Sequence, residues 1–275
     1  MPGTLWLVGT PIGNLGDASE RAARTLGAVD VIACEDTRRT RKLLSHLGVS
    51  GRRLVSFNEG NERRQVPFLL GHLRAGRDVA VVSDAGMPGL SDPGYRLVVA
   101  CAAEDIPVDV VPGPSAAIAA LVISGLPAAR FAFEGFLPRK AGERRARLSS
   151  LAEDPRTVVV FESPRRLRAL LADALAALGD RRAVVVRELT KVHQEVLRGR
   201  LSELPSRLAD EVLGEVVVVM EGGAPPPGAD LEALGDRVEE LTAGGLSRKE
   251  AAARVAQEAG VSKRALYEAS LRRRA

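Results

Sequence analysis

Two loops rich in glycine and proline constrain this chain more than any other feature, because each closes an apolar run that reads as a buried parallel strand. The first, Gly9-Thr10-Pro11-Ile12-Gly13-Asn14-Leu15-Gly16-Asp17, follows Leu5-Trp6-Leu7-Val8, and the second, Ser83 through Gly94, follows Val79-Ala80-Val81-Val82. Both loops are expected at the carboxyl edge of one sheet, where open α/β folds bind ligands. Glycine lets a backbone come close to a ligand, and proline fixes the loop that does so. The first loop lacks the Gly-x-Gly-x-x-Gly spacing of a dinucleotide site, and neither loop contains Gly-Lys-Ser/Thr. That argues against NAD or a nucleoside triphosphate as the ligand.

Strand-like runs near residues 4–8, 29–33, 53–57, 78–83 and 107–111 alternate with helical stretches, the pattern of a parallel sheet covered by helices. Asp17 with Glu20 reads as a capping box for a helix that Gly27 stops; Thr37 reads as the cap of a second helix that Gly48 ends. Pro112-Gly113-Pro114-Ser115 is a turn whose serine caps an apolar helix from Ala116 to about Ser124, and it marks a domain junction. The second half holds candidate strands near 131–135, 157–162, 182–187, 194–199 and 214–220, only some separated by helices, so a mixed sheet with hairpin-like pairing is expected. Gly222-Gly223-Ala224-Pro225-Pro226-Pro227-Gly228 reads as a linker. Beyond it, Ser247 and Glu250 form a capping box, Gly260 ends that helix, and Ser262 starts another ending in Arg272-Arg273-Arg274, an arrangement like a helix-turn-helix. The expectation is an α/β chain of two domains, residues 1–114 with a mostly parallel sheet and 115–223 with a mixed one, plus a linker and small helical tail at 224–275.

A chain of 275 residues, 45% hydrophobic, can bury two modest cores. No apolar stretch reaches membrane-span length and no basic segment precedes an apolar signal core, so a cytoplasmic protein is expected. Cys34 and Cys101 lack metal-ligand spacing and suit buried thiols; no metal site is expected. His46, His72 and His193 have no serine, cysteine or acid partner at an informative spacing, which leaves a hydrolytic triad without support. A net charge of +4 does not identify a nucleic-acid partner, because clustered charge matters more than total charge. The arginines therefore carry that argument. Arg38, Arg39, Arg41 and Lys42 follow the second strand, Arg63 and Arg64 the third, Arg139 and Lys140 the strand near 133, and Arg165 and Arg166 the one ending near Phe161. Such placement builds a positive surface beside the loops, suited to a phosphate-rich substrate; the alternative is that these residues occupy solvated helix faces. Glu35 and Asp36 end the second strand, where they either meet a ligand or cap the next helix and pair with its arginines. Asp84 and Asp92 stand in the second loop, where at least one organises its own turn.

Together these segments resemble the ribosomal small-subunit methyltransferase I family, the bacterial 16S ribosomal RNA cytidine 2'-O-methyltransferases of the tetrapyrrole methylase superfamily. The matching stretches are Val8 through Leu15, Cys34-Glu35-Asp36-Thr37-Arg38, Ser83 through Gly94 and Val111-Pro112-Gly113-Pro114-Ser115-Ala116. Further matches are Phe133 through Pro138, Phe161-Glu162-Ser163-Pro164-Arg165-Arg166 and Glu188-Leu189-Thr190-Lys191. The resemblance implies S-adenosylmethionine held between the two domains, a homodimer, and 16S ribosomal RNA of the 30S subunit as partner, with neither DNA nor membrane. It implies cofactor contacts from Thr10, Pro11, Asp84, Met87, Ser115, Ala116 and Phe161. Glu35 and Asp36 are then left for substrate positioning or proton removal, and Arg38, Arg39, Arg139, Lys140, Arg165, Arg166 and Lys191 for gripping RNA. Methylation of a small tetrapyrrole and a non-catalytic RNA-binding module are the rival readings. An aromatic content of 3% argues against base stacking as the main grip and for a structured RNA held by shape and phosphate.

Overall fold

A computed structural model describes residues 1–223, 231–259, 261 and 263–272 of the chain, and it has the expected α/β architecture with a parallel and a mixed sheet. The first sheet is built from β1 (Leu5–Val8), β2 (Val31–Cys34), β3 (Arg53–Ser56), β4 (Val79–Val82) and β5 (Val108–Val111), in the order β3-β2-β4-β1-β5. Every pairing in it is parallel, with Leu5 opposite both Val79 and Val108. Parallel strands need crossovers, and α1 (Glu20–Ala28), α2 (Thr37–His46), α3 (Glu62–Arg74) and α4 (Tyr95–Ala102) supply them. These helices cover two cores, one around Leu5, Phe57, Leu69 and Leu97, the other around Val8, Leu26, Ile32 and Ala80. Because β1 lies between β4 and β5, the loops after these three strands emerge side by side.

The start of α1 differs from the sequence expectation. Leu15–Asp17 form a single 3-10 turn capped by Asn14, so the α-helix begins later, with the Ser19 hydroxyl accepting from the Ala22 amide at 3.0 Å. Gly27 lies inside the last turn instead of ending it. Ser19→Ala is therefore expected to cost about 1 kcal/mol, a fall in Tm of roughly 2–4 °C, and Asp17→Ala clearly less, as read by thermal melts. At α2 the cap is Asp36, one residue before the expected Thr37, while Gly48 follows the helix with φ of +69° as a stop residue should.

α5 (Ala116–Ser124), capped by Ser115 as expected, leads out of the first sheet into the second. That sheet comprises β6 (Phe131–Phe136), β7 (Thr157–Glu162), β8 (Arg182–Arg187), β9 (Glu195–Arg200) and β10 (Val216–Met220), in the order β6-β7-β10-β8-β9. Only β6 and β7 run parallel; β8 and β9 form the antiparallel hairpin that close sequence spacing predicts. One face packs on α6 (Ala141–Ser149), α7 (Leu167–Leu178) and α8 (Leu204–Arg207). The other face packs on α5 and receives Ile12 from the first loop, so the loop is anchored in the core of the neighbouring sheet.

Gly222 and Gly223, read from sequence as linker, belong to the body. The Gly223 amide donates to the Asp154 carbonyl at 2.6 Å, and a Cβ on Gly222 would lie 2.3 Å from the Pro155 carbonyl oxygen. The rest of the linker, residues 224–228, together with Gly260, Ser262, Arg273 and Arg274, falls outside the described residues. Among its described residues the tail holds three helices, one more than expected: α9 (Leu231–Ala243), α10 (Arg248–Ala259) and α11 (Lys263–Arg272). They share a core of their own around Val238, Ala252, Val255 and Leu266, and Ser247 and Glu250 make the reciprocal capping box.

Candidate functional site

The three neighbouring loops are stitched to one another by backbone. Thr10 and Gly86 exchange hydrogen bonds of 2.9 and 3.1 Å, and the buried Thr10 hydroxyl donates to the Ser83 carbonyl at 3.2 Å. Gly9 and Gly113 meet back to back: a Cβ on Gly9 would lie 2.6 Å from the Gly113 backbone and 2.7 Å from the Met87 sulfur. Glycine at both positions is a matter of space, not of φ. Gly13 is different, with φ of +159° and a virtual Cβ 2.6 Å from the Lys191 Cγ, where the first loop presses against the Glu188–Lys191 turn of the second sheet.

Between the loops and the second sheet lies a cavity of about 390 Å³. Ile12, Ala116, Phe161 and Val217 give it apolar walls, while Asp84, Ser115 and Glu162 place polar groups at its edge. Size and composition are those of a small-molecule site. Of the residues expected to touch a cofactor, Asp84, Met87, Ser115, Ala116 and Phe161 line this cavity; Thr10 and Pro11 do not, and Thr10, 2% exposed, instead holds the loops together. Phe161 is itself fixed by edge-to-face contacts with Phe133 at 4.9 Å and Phe136 at 5.6 Å.

A second, wider cavity of about 1180 Å³ adjoins the first, and Ser91, Asp92, Phe136, Glu162 and Ser163 line both. Carboxylates and arginines alternate along its walls, and most are engaged. Glu62 accepts from the Gly94 amide at 3.0 Å and pairs with Arg96 at 3.4 Å; Glu134 pairs with Arg147 at 2.7 Å. Glu162 is 3% exposed, with one oxygen accepting from the Ser163 amide and the other 3.1 Å from Arg166 but without a hydrogen bond. Arg63, at the start of α3, and Arg139, after β6, are exposed on opposite walls with no acidic partner within 4.0 Å among the described residues.

Acids crowd the boundary between the two cavities. Glu35 lines the wider one and accepts from the Asp84 amide at 3.2 Å; burial, and secondarily the nearby Asp84 charge, pushes its carboxyl above the usual range. Asp84 accepts from the Asp36 amide at 3.1 Å and pairs with Arg39 at 3.4 Å. Asp92 is pushed up to about 7, mainly by burial and then by the Glu35 and Asp84 charges. Asp36 lies in neither cavity: it accepts from the Arg38 amide at 2.7 Å, and its hydrogen bond to the Arg38 side chain holds its carboxyl below the usual range.

The basic residues singled out from sequence divide into groups. Arg139 and Arg166 reach the wide cavity and Arg39 the narrow one. Arg166 is occupied with the Leu137 and Pro138 carbonyls at 2.9 and 3.2 Å, and Lys191 is held by Glu188 at 2.8 Å and Glu215 at 3.2 Å. Arg38 pairs with Asp36, Lys140 with Glu143, and Arg165 is exposed outside both cavities. Arg96 was not singled out, and Glu162 only as part of the Phe161–Arg166 stretch; their positions depend on how the two sheets meet.

A sequence model described as Tetrapyrrole (Corrin/Porphyrin) Methylases matches residues 4–205. The chain is 52% identical over 275 residues to "Ribosomal RNA small subunit methyltransferase I" of Mycobacterium tuberculosis (strain CDC 1551 / Oshkosh), covering 99% of this chain and 96% of the relative. The protein of the same name from Thermotoga maritima is 50% identical over 221 residues, 80% of this chain and 99% of its own. Among solved structures, uroporphyrin-III C-methyl transferase from Thermus thermophilus complexed with S-adenyl homocysteine superposes with a TM-score of 0.54 at 21% identity, covering 79% of this chain and 96% of that one. That last likeness is one of fold.

Proposed function

The chain belongs to the tetrapyrrole (corrin/porphyrin) methylase family, and from that premise we propose that it is an S-adenosylmethionine-dependent methyltransferase acting on the ribose 2'-oxygen of a cytidine in 16S ribosomal RNA. The observation that carries this reading is the near-full-length similarity to relatives named for the small ribosomal subunit, which is more than twice the identity to the uroporphyrin enzyme. S-adenosylmethionine supplies a sulfonium methyl group that is already electrophilic. The chain's own contribution is then to hold donor and acceptor in line and keep water out, and orientation of this kind supplies roughly 7–11 kcal/mol of a barrier.

The narrow cavity fits that donor. Its apolar walls suit an adenine ring and a methionine chain, Asp84 and Ser115 can meet polar groups, and Met87, Ala116 and Phe161 close around it. The wide groove is read as the RNA side, with Arg63 and Arg139 as phosphate contacts from opposite walls and Arg39 near the junction. A 2'-hydroxyl acceptor makes RNA, not DNA, the substrate. In this reading the assembled 30S subunit is the partner and the cytoplasm the compartment; no helix among the described residues is long and apolar enough to cross a membrane. A homodimer is also part of the reading. It is supported by the exposed Val108 and Val110 on the edge strand β5 and Ile118 and Val122 on α5.

The experiment is methyl transfer from labelled donor to isolated 30S subunits of a strain lacking the gene, run beside a free tetrapyrrole precursor, with the modified nucleotide mapped by mass spectrometry. Label on a cytidine ribose of 16S RNA supports the proposal. Label on the tetrapyrrole alone overturns it.

A further inference from the structure

The wall of the wide cavity that carries Arg139 is held from behind by two arginines. Leu137 and Pro138 give their carbonyls to the Arg166 guanidinium at 2.9 and 3.2 Å, the Arg139 carbonyl accepts from Arg144 Nη1 at 3.3 Å, and the Lys140 carbonyl accepts from the Arg144 amide at 2.9 Å. Four consecutive backbone carbonyls are thus taken by two residues. The start of α6 has no side-chain cap to brace it instead, since Lys140 at its N-cap forms no capping hydrogen bond through its side chain. Arg144 is fixed in turn by α7. Its Nε and Nη2 lie 2.8 and 2.6 Å from Asp173 Oδ2, and the two side chains are only 7% and 14% exposed. Neither residue lines the wide or the narrow cavity.

We propose that Asp173 is a positioning residue for RNA binding: acting through Arg144, it holds the Leu137–Lys140 backbone so that the Arg139 guanidinium stands ready in the groove for a phosphate. This role rests on the reading of that groove as the RNA side. Arg139 is exposed and has no acidic partner within 4.0 Å among the described residues, so its side chain is not fixed by an ion pair of its own. The backbone that carries it decides where its charge can reach.

A purely stabilising role does not account for the pair. Desolvation of two buried charges offsets much of their attraction, and apolar side chains of similar volume would join α6 to α7 at least as well. Leu148 on α6 and Leu170, Leu171 and Ala174 on α7 already belong to one apolar core. What an apolar pair could not do is hold a carbonyl in a set place. The planar fork of Arg144 can, because Nε and Nη2 meet Asp173 and leave Nη1 for the Arg139 carbonyl. A neutral amide at position 173 would leave Arg144 a buried charge without its counterion, a state relieved by turning to solvent and releasing the loop. The freed loop must then be ordered again when RNA binds, at a cost in affinity.

The test is a double-mutant cycle read by filter binding to 30S subunits over a salt series. Asp173→Asn removes the charge on α7. Arg144→Lys keeps a cation opposite Asp173 but lacks the fork that reaches the Arg139 carbonyl, so it should melt closer to wild type. Each is expected to weaken 30S binding by about 3- to 10-fold and to lower the slope of log affinity against log salt by roughly 1, the effect of losing one phosphate contact. In methyl-transfer assays the loss should fall on KM for the subunit, with kcat and S-adenosylhomocysteine affinity within about twofold of wild type. Combined with Arg139→Ala, either change should add less than about twofold, because the contact it positions is already gone. A folded Asp173→Asn or Arg144→Lys protein that binds 30S like wild type overturns the proposal. A loss as large in the Arg139→Ala background as in wild type also overturns it, because that marks a structural role alone. If Asp173→Asn does not fold, Arg144→Lys decides by the same cycle. Arg139→Ala binding like wild type would instead overturn the reading of the groove itself, and the Asp173 role would fall with it.

Discussion

Gly113→Val lowers the melting temperature by roughly 6–12 °C and removes measurable binding of the methyl donor, because the residue stands where two loop backbones touch. A Cβ at position 113 would lie 2.8 Å from both the Cα and the carbonyl carbon of Gly9, and these are backbone atoms with no rotamer to give way. Overpacking of this kind costs about 3 kcal/mol, and the relief available is to part the loops after β1 and β5. Parting them carries Met87 and Ser115 away from the donor cavity, since the Met87 sulfur lies 2.7 Å from where a Cβ on Gly9 would stand. Stability and donor affinity are therefore expected to fall together. Thermal melts and calorimetry on one preparation check both, and a variant that melts like wild type and binds normally would show that the close approach is not required.

Arg63→Glu combined with Arg139→Glu is expected to weaken binding to 30S subunits by on the order of tenfold for each charge, and to lower the slope of log affinity against log salt by roughly 2. The two residues stand on opposite walls of the wide cavity, one at the start of α3 and one after β6, and neither has an acidic partner within 4.0 Å among the described residues. Their charge is available to phosphates, whereas Arg166, Arg96 and Lys191 are already committed to carboxylates or carbonyls. Donor affinity should stay unchanged, because neither arginine lines the narrow cavity. Filter binding over a salt series reads the effect, and an unaltered slope would remove this groove from the RNA interface.

Much of the frame was legible because its signals are local. The apolar runs ending in Val8 and Val82, the turn at Pro112–Ser115 and the Ser247–Glu250 box each declare themselves within a few residues, and the strands and caps stand where those signals put them. The displaced start of α1 shows the limit of such signals: Asp17 and Ser19 are both competent caps, and the 3-10 turn at Leu15–Asp17 decides between them. α9 carries its apolar residues at Leu231, Leu234, Val238 and Leu241, a helical spacing interrupted by Gly235. The crowded acids at the cavity boundary were visible as residues but not as a group. Glu35, Asp84 and Asp92 come together only because β2 and β4 are neighbours in the sheet, and Ser91, beside Asp92, meets β6 at the bulge by Gly135. Likewise, nothing local distinguishes an occupied arginine such as Arg166 from an available one such as Arg139.

The account depends on the methyl donor binding in the narrow cavity between the loops of the first sheet and the face of the second. Titration of S-adenosylhomocysteine into wild type and into Ala116→Phe, whose ring would occupy that cavity, tests this most directly. One site per chain in wild type, with affinity reduced at least 100-fold (about 2.7 kcal/mol) in a variant that still melts cooperatively, is the predicted result. Equal affinity in the two proteins, or no binding to wild type, would contradict it.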